Sequence, residues 1–165
     1  RCLRRLAARP RAGSAVTAAA LLAAAIRELW EEAGLVLGRP GRWAAPAPDW
    51  AAFAATGHRP DAAAVRYVFR AVTPPGRPRR FDARFFLVAA EALTCDPDDF
   101  SRAADELSHL QWVPLARARG VDLPFITQVV LAEVGPLIAA GGRAPEAGVP
   151  MVTNDDPVSC VERLA

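Results

Sequence analysis

One short stretch decides how this sequence is interpreted: Arg27-Glu28-Leu29-Trp30-Glu31-Glu32-Ala33-Gly34-Leu35. Residues 17–33 are rich in alanine and leucine and contain neither proline nor glycine, so they predict a helix that ends at Gly34. At about 100° per residue, the carboxylates of Glu28, Glu31 and Glu32 fall within an arc of about 100°. The opposite stripe of this helix is apolar. The helix is therefore expected to bury one face and to present three carboxylates together on the other.

Three carboxylates this close repel one another and raise one another's pKa values, and a divalent cation relieves that repulsion. Carboxylate oxygens suit Mg²⁺ or Mn²⁺, and such a cation neutralises phosphate charge and activates water. Arg27 precedes Glu31 by four residues, a spacing at which the two side chains meet on a helix. Most runs of charge are only solvated helix ends, but three of the eight glutamates of the whole chain lie here. This concentration favours a metal site.

The stretch resembles the core of the Nudix box, R-E-U-x-E-E-x-G-U, in which U is an aliphatic residue. The resemblance implies a hydrolase that cleaves a nucleoside diphosphate linked to another group, with Mg²⁺ or Mn²⁺ as the cofactor. It also implies that Glu31 and Glu32 are the main metal ligands, and that Glu28 is a further ligand or the general base for the attacking water. Arg27 would orient the glutamates. Gly34 would permit the tight turn after the helix.

The front of the box departs from the family pattern. Gly13 lies at the expected distance, but Ala19 stands where the pattern has a glutamate, and no Pro-Gly-Gly turn surrounds Gly13. The sequence is similar to a Nudix branch that contains a peroxisomal coenzyme A diphosphatase and bacterial relatives, in which an insertion divides the box. On that resemblance, residues 1–16 are the end of such an insertion. Because residue 1 is not Met, we expect the sequence to be truncated at its N-terminus.

Two further segments resemble the same branch: residues 73–86, and residues 105–115 with the acidic residue and last strand common to Nudix proteins. The first segment suggests that Arg84, Arg80 and Phe81 contact substrate, since arginine binds phosphate through two parallel hydrogen bonds. Arg84 is the preferred candidate because it enters the strand. The alternative for the arginines is that they belong to a loop that keeps the protein soluble. The alternative for Phe81 is that its ring packs in the core or in a lid. The second segment suggests that Glu106 is a fourth carboxylate of the site or a general base. The alternative is that Glu106 is an acidic loop residue without a role in the site. Trp112 is expected in the core.

The expected fold class is α/β (α+β), a Nudix-type α/β/α sandwich with a mixed sheet, incomplete at the N-terminus. The Nudix domain is expected over residues 1–140, followed by a weakly patterned tail at 141–165. Strands are predicted at 65–72, 84–90 and 107–113, the first of them half-buried. A second long helix is predicted at 124–140, in which Pro136 should cause a kink or an early end.

The composition limits the choice of partners. A chain of 165 residues and 17.6 kDa fits one domain. The net charge of +2 is too small for a dedicated nucleic-acid binder, and no apolar run is long enough to span a membrane. Three widely spaced cysteines indicate reduced thiols and a cytoplasmic location. The expected partner is a small nucleotide-type substrate, and a homodimer is left open.

The function expected from these arguments is metal-dependent hydrolysis of a diphosphate linkage. Coenzyme A or an acyl derivative is the preferred substrate, on branch resemblance alone. ADP-ribose or another nucleotide sugar is the alternative substrate. Two different functions stay open beside hydrolysis: a non-catalytic Nudix-like ligand-binding domain, or an inactive fragment. The intact box glutamates count against the ligand-binding domain.

Overall fold

The computed structural model describes residues 2–10, 15–73, 75–104, 109–118, 120–143, 146–155 and 158–165. In chain order the elements are helices α1 (Cys2–Leu6) and α2 (Ala18–Ala33), strand β1 (Gly38–Pro40), helix α3 (Ala51–Ala55), strands β2 (His58–Pro60), β3 (Arg66–Val72) and β4 (Asp82–Leu87), helices α4 (Leu115–Ala118) and α5 (Phe125–Ala139), and strands β5 (Val149–Asp155) and β6 (Val158–Leu164). The described part of the chain is thus a mixed α+β fold, as the sequence predicts.

These elements form two compact units. The first, called the sheet unit, draws on residues 1–13, 66–87 and 113–165. The second, called the glutamate-helix unit, draws on residues 14–65 and 88–112 and contains α2. Each unit is made of segments that are distant in sequence, so the folding of either one depends on long-range contacts.

The sheet unit is built on a four-stranded mixed sheet with the order β4-β3-β5-β6. Strands β3 and β4 pair antiparallel, as do β5 and β6, whereas β3 and β5 pair parallel with Arg70 opposite Met151. Val68 and Phe69 of β3 form a core cluster with Val130 and Val134 of α5. The two valines lie on one side of α5 because they are four residues apart.

Strand β3 departs from the half-buried pattern expected for it. Its residues 67–70 are all buried, and its pairing with β4 shifts register between Tyr67 and Phe69. Consecutive buried residues mean that both faces of the strand are covered. Strand β4 begins and ends slightly earlier than the predicted 84–90, while helix α5 occupies the predicted helix and contains Pro136 inside it.

The predicted tail at 141–165 is instead largely sheet, since β5 and β6 lie within it. Val149 and Met151 of β5 are 0% and 4% exposed, so this segment contributes to the core. Glycine at positions 141, 142 and 148 and a proline at 150 interrupt the local pattern, and such residues argue against a strand. The pairing with β3 gives β5 hydrogen bonds and burial that the local sequence pattern does not predict.

The glutamate-helix unit packs α2 against the loop that follows it. Ile26 of α2 and Phe53 of α3 are 2% and 0% exposed, and the Trp30 ring meets the Phe53 ring edge to face with centroids 5.9 Å apart. The expected irregular loop at 38–60 also carries a small antiparallel pair, β1 with β2. The apolar run at 35–37 is buried beside it.

The strand predicted at 107–113 does not form in its described residues, 109–113; residues 107 and 108 lie outside the described part of the chain. His109 has a φ of 59°, which a continuous strand does not allow. The expected core position of Trp112 is wrong as well, because Trp112 is 56% exposed. Its indole N–H donates to the carbonyl of Pro97, so one edge of the ring is held at the surface. Among the described residues, no helix is long and apolar enough to cross a membrane.

Candidate functional site

Helix α2 begins and ends where its sequence predicts. The Thr17 hydroxyl accepts a hydrogen bond from the backbone N–H of Ala20 at 3.1 Å, which satisfies one of the free donors of the first turn. Gly34 adopts a φ of +69° and donates its N–H to the carbonyl of Trp30 at 2.8 Å. A glycine in this conformation stops the helix without steric cost.

The last turn of α2 is held by a segment that comes much later in the chain. A Cβ atom on Gly34 would lie 2.8 Å from the backbone nitrogen of Ala103 and from the carbonyl carbon of Arg102. The backbone N–H of Ala104 donates to the carbonyl of Glu31 at 2.9 Å. Gly34 is therefore required for two reasons, its positive φ and the close passage of this segment.

The three box glutamates, Glu28, Glu31 and Glu32, are all exposed on α2, as expected for residues that meet a ligand. The Arg27 guanidinium lies among carboxylates: Nη2 is 3.5 Å from Glu28 Oε1, and Nε is 3.5 Å from Glu31 Oε1. Its Nη1 is 3.3 Å from Asp49 Oδ2. Exposed pairs of this kind stabilise the fold little, but they hold Arg27 and the two glutamates in a common orientation.

Asp49 is a neighbour of Arg27 that sequence reasoning missed. It lies in the loop rich in proline and tryptophan between β1 and α3, more than twenty positions after Arg27. No motif marks it, because only the folding of that loop back over α2 brings its carboxylate to the guanidinium.

The donor chemistry of α2 fits Mg²⁺ or Mn²⁺, since glutamate oxygens are hard ligands. The Arg27 guanidinium lies within 3.5 Å of three different carboxylates, so these side chains already surround one positive charge. Within the described ranges, however, no three side chains of His, Cys, Asp or Glu converge as a metal-holding group. Glu106, expected as a fourth carboxylate or a base, lies outside the described residues, as does Gly13.

The three predicted substrate contacts belong to the sheet unit and have different surroundings. Arg84 is largely buried, with Nη2 3.3 Å from Asp82 Oδ2 and Nη1 donating to the Asp82 carbonyl at 3.1 Å. Residues two apart on a strand share a face, so the Asp82 carboxylate is placed to engage Arg84. Arg80 is exposed and donates to the carbonyl of Thr73 at 3.3 Å. Phe81 is 65% exposed.

Asp82 also forms a buried ion pair with Arg70, which sequence reasoning did not anticipate. Arg70 Nε and Nη2 donate to the two carboxylate oxygens at 2.7 and 2.8 Å. Burial alone would raise the pKa of Asp82, but the hydrogen bonds and charge of Arg70, with a smaller effect of Arg84, outweigh it and lower that pKa. The same hydrogen bonding raises the pKa of Arg70. The pair holds the β3–β4 hairpin together.

Comparison with known protein families identifies the family of the chain. The NUDIX domain matches residues 12–130, which is more than two thirds of the chain and includes α2, β3 and β4. The chain therefore belongs to the NUDIX family. It is a Nudix hydrolase, acting on pyrophosphate bonds in nucleoside diphosphate derivatives. No curated protein and no solved structure gave a match to it.

Proposed function

We propose that this chain hydrolyses the diphosphate linkage of its substrate with the help of Mg²⁺ or Mn²⁺ held by Glu28, Glu31 and Glu32. The observation that carries the proposal is the set of exposed carboxylates at the end of α2, two of which already share the Arg27 guanidinium. When bound there, the cation would neutralise phosphate charge and make water a better nucleophile.

The remaining roles follow from what holds the helix end. Arg27 orients Glu28 and Glu31, because its guanidinium reaches both side chains. The hydrogen bond from Ala104 to the carbonyl of Glu31 ties the segment before Glu106 to the helix. Either Glu28 or Glu106 is proposed as the general base that takes a proton from the attacking water, Glu106 on the resemblance of residues 105–115 alone.

Coenzyme A or an acyl-coenzyme A is the substrate we propose, and ADP-ribose or a nucleotide sugar is the alternative. The support for coenzyme A is the resemblance of residues 73–86 and 105–115 to the coenzyme A diphosphatase branch. Of the two arginines expected to contact substrate, Arg80 is the better placed, because Asp82 engages the guanidinium of Arg84. Its exposed guanidinium donates to the neutral carbonyl of Thr73, which leaves its charge available to a phosphate.

The direct test compares release of 3′,5′-ADP from coenzyme A with release of AMP from ADP-ribose, with Mg²⁺ and with EDTA. We expect metal-dependent turnover that is faster on coenzyme A. Glu31→Gln should lower kcat about a hundredfold or more, as loss of a catalytic acid–base or ligand group does. Glu91→Gln is the matched control, because Glu91 is an exposed glutamate of the same unit in the turn Ala90–Ala92.

Metal binding is measured separately by following free Mn²⁺ with electron paramagnetic resonance. Glu31→Gln and Glu32→Gln should weaken Mn²⁺ binding, while Glu91→Gln should not. Absence of turnover on both substrates would refute the catalytic proposal, and Mn²⁺ affinity unaltered by both box variants would refute the ligand assignment. Faster turnover of ADP-ribose would replace coenzyme A by the alternative substrate.

A further inference from the structure

The sheet unit contains a cleft with about 190 Å³ of space beside the start of β4. Its lining includes Arg9 from the segment after α1, Arg80 and Phe81 before β4, and Met151 of β5. The space equals that of about six water molecules. It suits part of a ligand, such as a phosphate with part of an attached sugar or ring, and is too small to enclose a whole coenzyme A.

The residues that line the cleft carry an excess of positive charge, with Arg9, Arg70 and Arg80 against the single acid Asp82. Arg70 and Asp82 both line it, but they neutralise each other through two short hydrogen bonds. Arg80 donates only to the neutral carbonyl of Thr73 among its hydrogen bonds to described residues, so its charge is not compensated by a carboxylate there. Arg9 adds a second cation, which pairs with Glu162. An anionic group would therefore be drawn to Arg80.

The Arg9 segment is held over the cleft by unusual local structure. Arg9 has a φ of 50°, in the left-handed region that non-glycine residues rarely adopt. Buried Arg70 stabilises this conformation by donating Nη1 to the carbonyls of Ala8 and Arg9 at 3.1 and 2.9 Å. Backbone strain that a buried residue maintains is typical of ligand sites.

The exposed phenyl ring of Phe81 supplies an apolar surface next to Arg80. Its side chain remains exposed while its backbone closes the β3–β4 hairpin, with the Phe81 N–H donating to the Thr73 hydroxyl at 2.9 Å. The hairpin thus fixes the backbone of Phe81, and the ring is left uncovered in the described part of the chain. Such a ring is a surface on which a nucleobase stacks.

We propose that this cleft, named the Arg80 cleft for the lining described above, binds a nucleotide. The phosphate lies against Arg80, with Arg9 nearby, and the base stacks on Phe81. The choice of a nucleotide as the ligand rests on the proposed function, whereas the cleft and its charge do not. The sheet unit thereby contributes a recognition site of its own, separate in sequence from the box glutamates.

The test measures binding of 3′,5′-ADP to the whole chain by isothermal titration calorimetry in EDTA, so that no metal-dependent step contributes. Arg80→Gln should weaken binding about tenfold, as loss of a charged hydrogen-bond partner does. Phe81→Leu should weaken it about fivefold or more, as loss of a stacking ring does. The matched controls are Arg143→Gln and Phe125→Leu, because both side chains lie on the same unit outside the cleft.

Inorganic phosphate and adenosine separate the two halves of the interaction. Phosphate binding should depend on Arg80 and not on Phe81, and adenosine binding should show the reverse dependence. Absence of saturable 3′,5′-ADP binding, or equal losses for Arg80→Gln and Arg143→Gln, would overturn the Arg80 cleft. Glu31→Gln should retain nucleotide binding in EDTA while losing hydrolysis. If the wild-type chain binds 3′,5′-ADP but hydrolyses neither substrate, the proposed function alone is refuted. If the wild-type chain hydrolyses a substrate but does not bind 3′,5′-ADP, the cleft alone is refuted.

Discussion

Replacement of Gly34 by alanine tests whether the end of the glutamate helix is held by the segment that passes over it. Two separate costs are expected from the structure. Gly34 has a φ of +69°, and the new methyl group would lie 2.8 Å from backbone atoms of Arg102 and Ala103. Neither neighbour is a flexible side-chain end, so relief requires the backbone to move.

The size of the effect follows from these two costs. The left-handed conformation costs a non-glycine residue about 1–2 kcal/mol. Forcing a methyl group into close-packed atoms costs about 1–3 kcal/mol. Because a shared backbone shift relieves both, we expect Gly34→Ala to lower the free energy of unfolding by about 2–4 kcal/mol. The displaced helix end should also weaken Mn²⁺ binding by the glutamates.

Gly57→Ala is the matched control for this measurement. Gly57 lies in the same unit with a φ of +80°, but no atom lies within 4 Å of the position of its Cβ. It should lose only the conformational part, about 1–2 kcal/mol. Urea unfolding followed by tryptophan fluorescence gives both values. Equal losses for the two variants, within about 0.5 kcal/mol of each other, would show that the close passage of residues 102–103 does not restrain the helix.

Three further perturbations follow from other contacts. Tyr67 is the single tyrosine of the chain, and burial raises its pKa to about 12. Absorbance at 295 nm should therefore show ionisation of this tyrosine near pH 12 in the folded protein and near pH 10 in urea. A midpoint near pH 10 in the folded protein would contradict this expectation. Since the folded state holds the proton more tightly, the contribution of Tyr67 is complete below about pH 10 and is lost as the pH rises through about 12. Asp82→Asn leaves the charge of buried Arg70 without its carboxylate and should cost about 3 kcal/mol in urea unfolding. Because the folded pKa of Asp82 is lowered, the stability that this pair gives the wild type is present above about pH 4 and is lost as the pH falls further. If Asp82→Asn loses stability with falling pH as the wild type does, Asp82 is not the source of this pH dependence. Thr17→Ala removes the acceptor for the Ala20 N–H and should cost about 1 kcal/mol, visible as a lower Tm; a Tm equal to that of the wild type would show that the cap is not needed.

The features that were predictable from sequence are those set by local chemistry. Helix α2 has its N-cap at Thr17 and its left-handed glycine at Gly34, both readable from neighbouring residues. The helical period alone places Glu28 and Glu31 within reach of Arg27, and the Arg27–Glu31 pair has the predicted i,i+4 spacing. The family match over residues 12–130 agrees with what this short motif indicates.

The features that sequence reasoning missed all depend on partners that are distant in the chain. Strand β5 is sheet because β3 and β6 pair with it, despite the proline at 150. Trp112 is exposed although a tryptophan in a predicted strand suggests the core. The Arg70–Asp82 pair depends on the register of the β3–β4 hairpin, which side-chain types alone do not reveal.

The sequence by itself determined the helix, its two ends and the carboxylates it presents, because hydrogen-bonding propensity, capping and helical period act over a few residues. Only the tertiary structure decided what surrounds them. Asp49 joins Arg27, the segment ending at Ala104 holds Glu31, and Arg80 and Phe81 meet Arg9 at one cleft. These contacts join residues more than twenty positions apart, and their formation depends on burial and strand pairing across the fold, which no local pattern encodes.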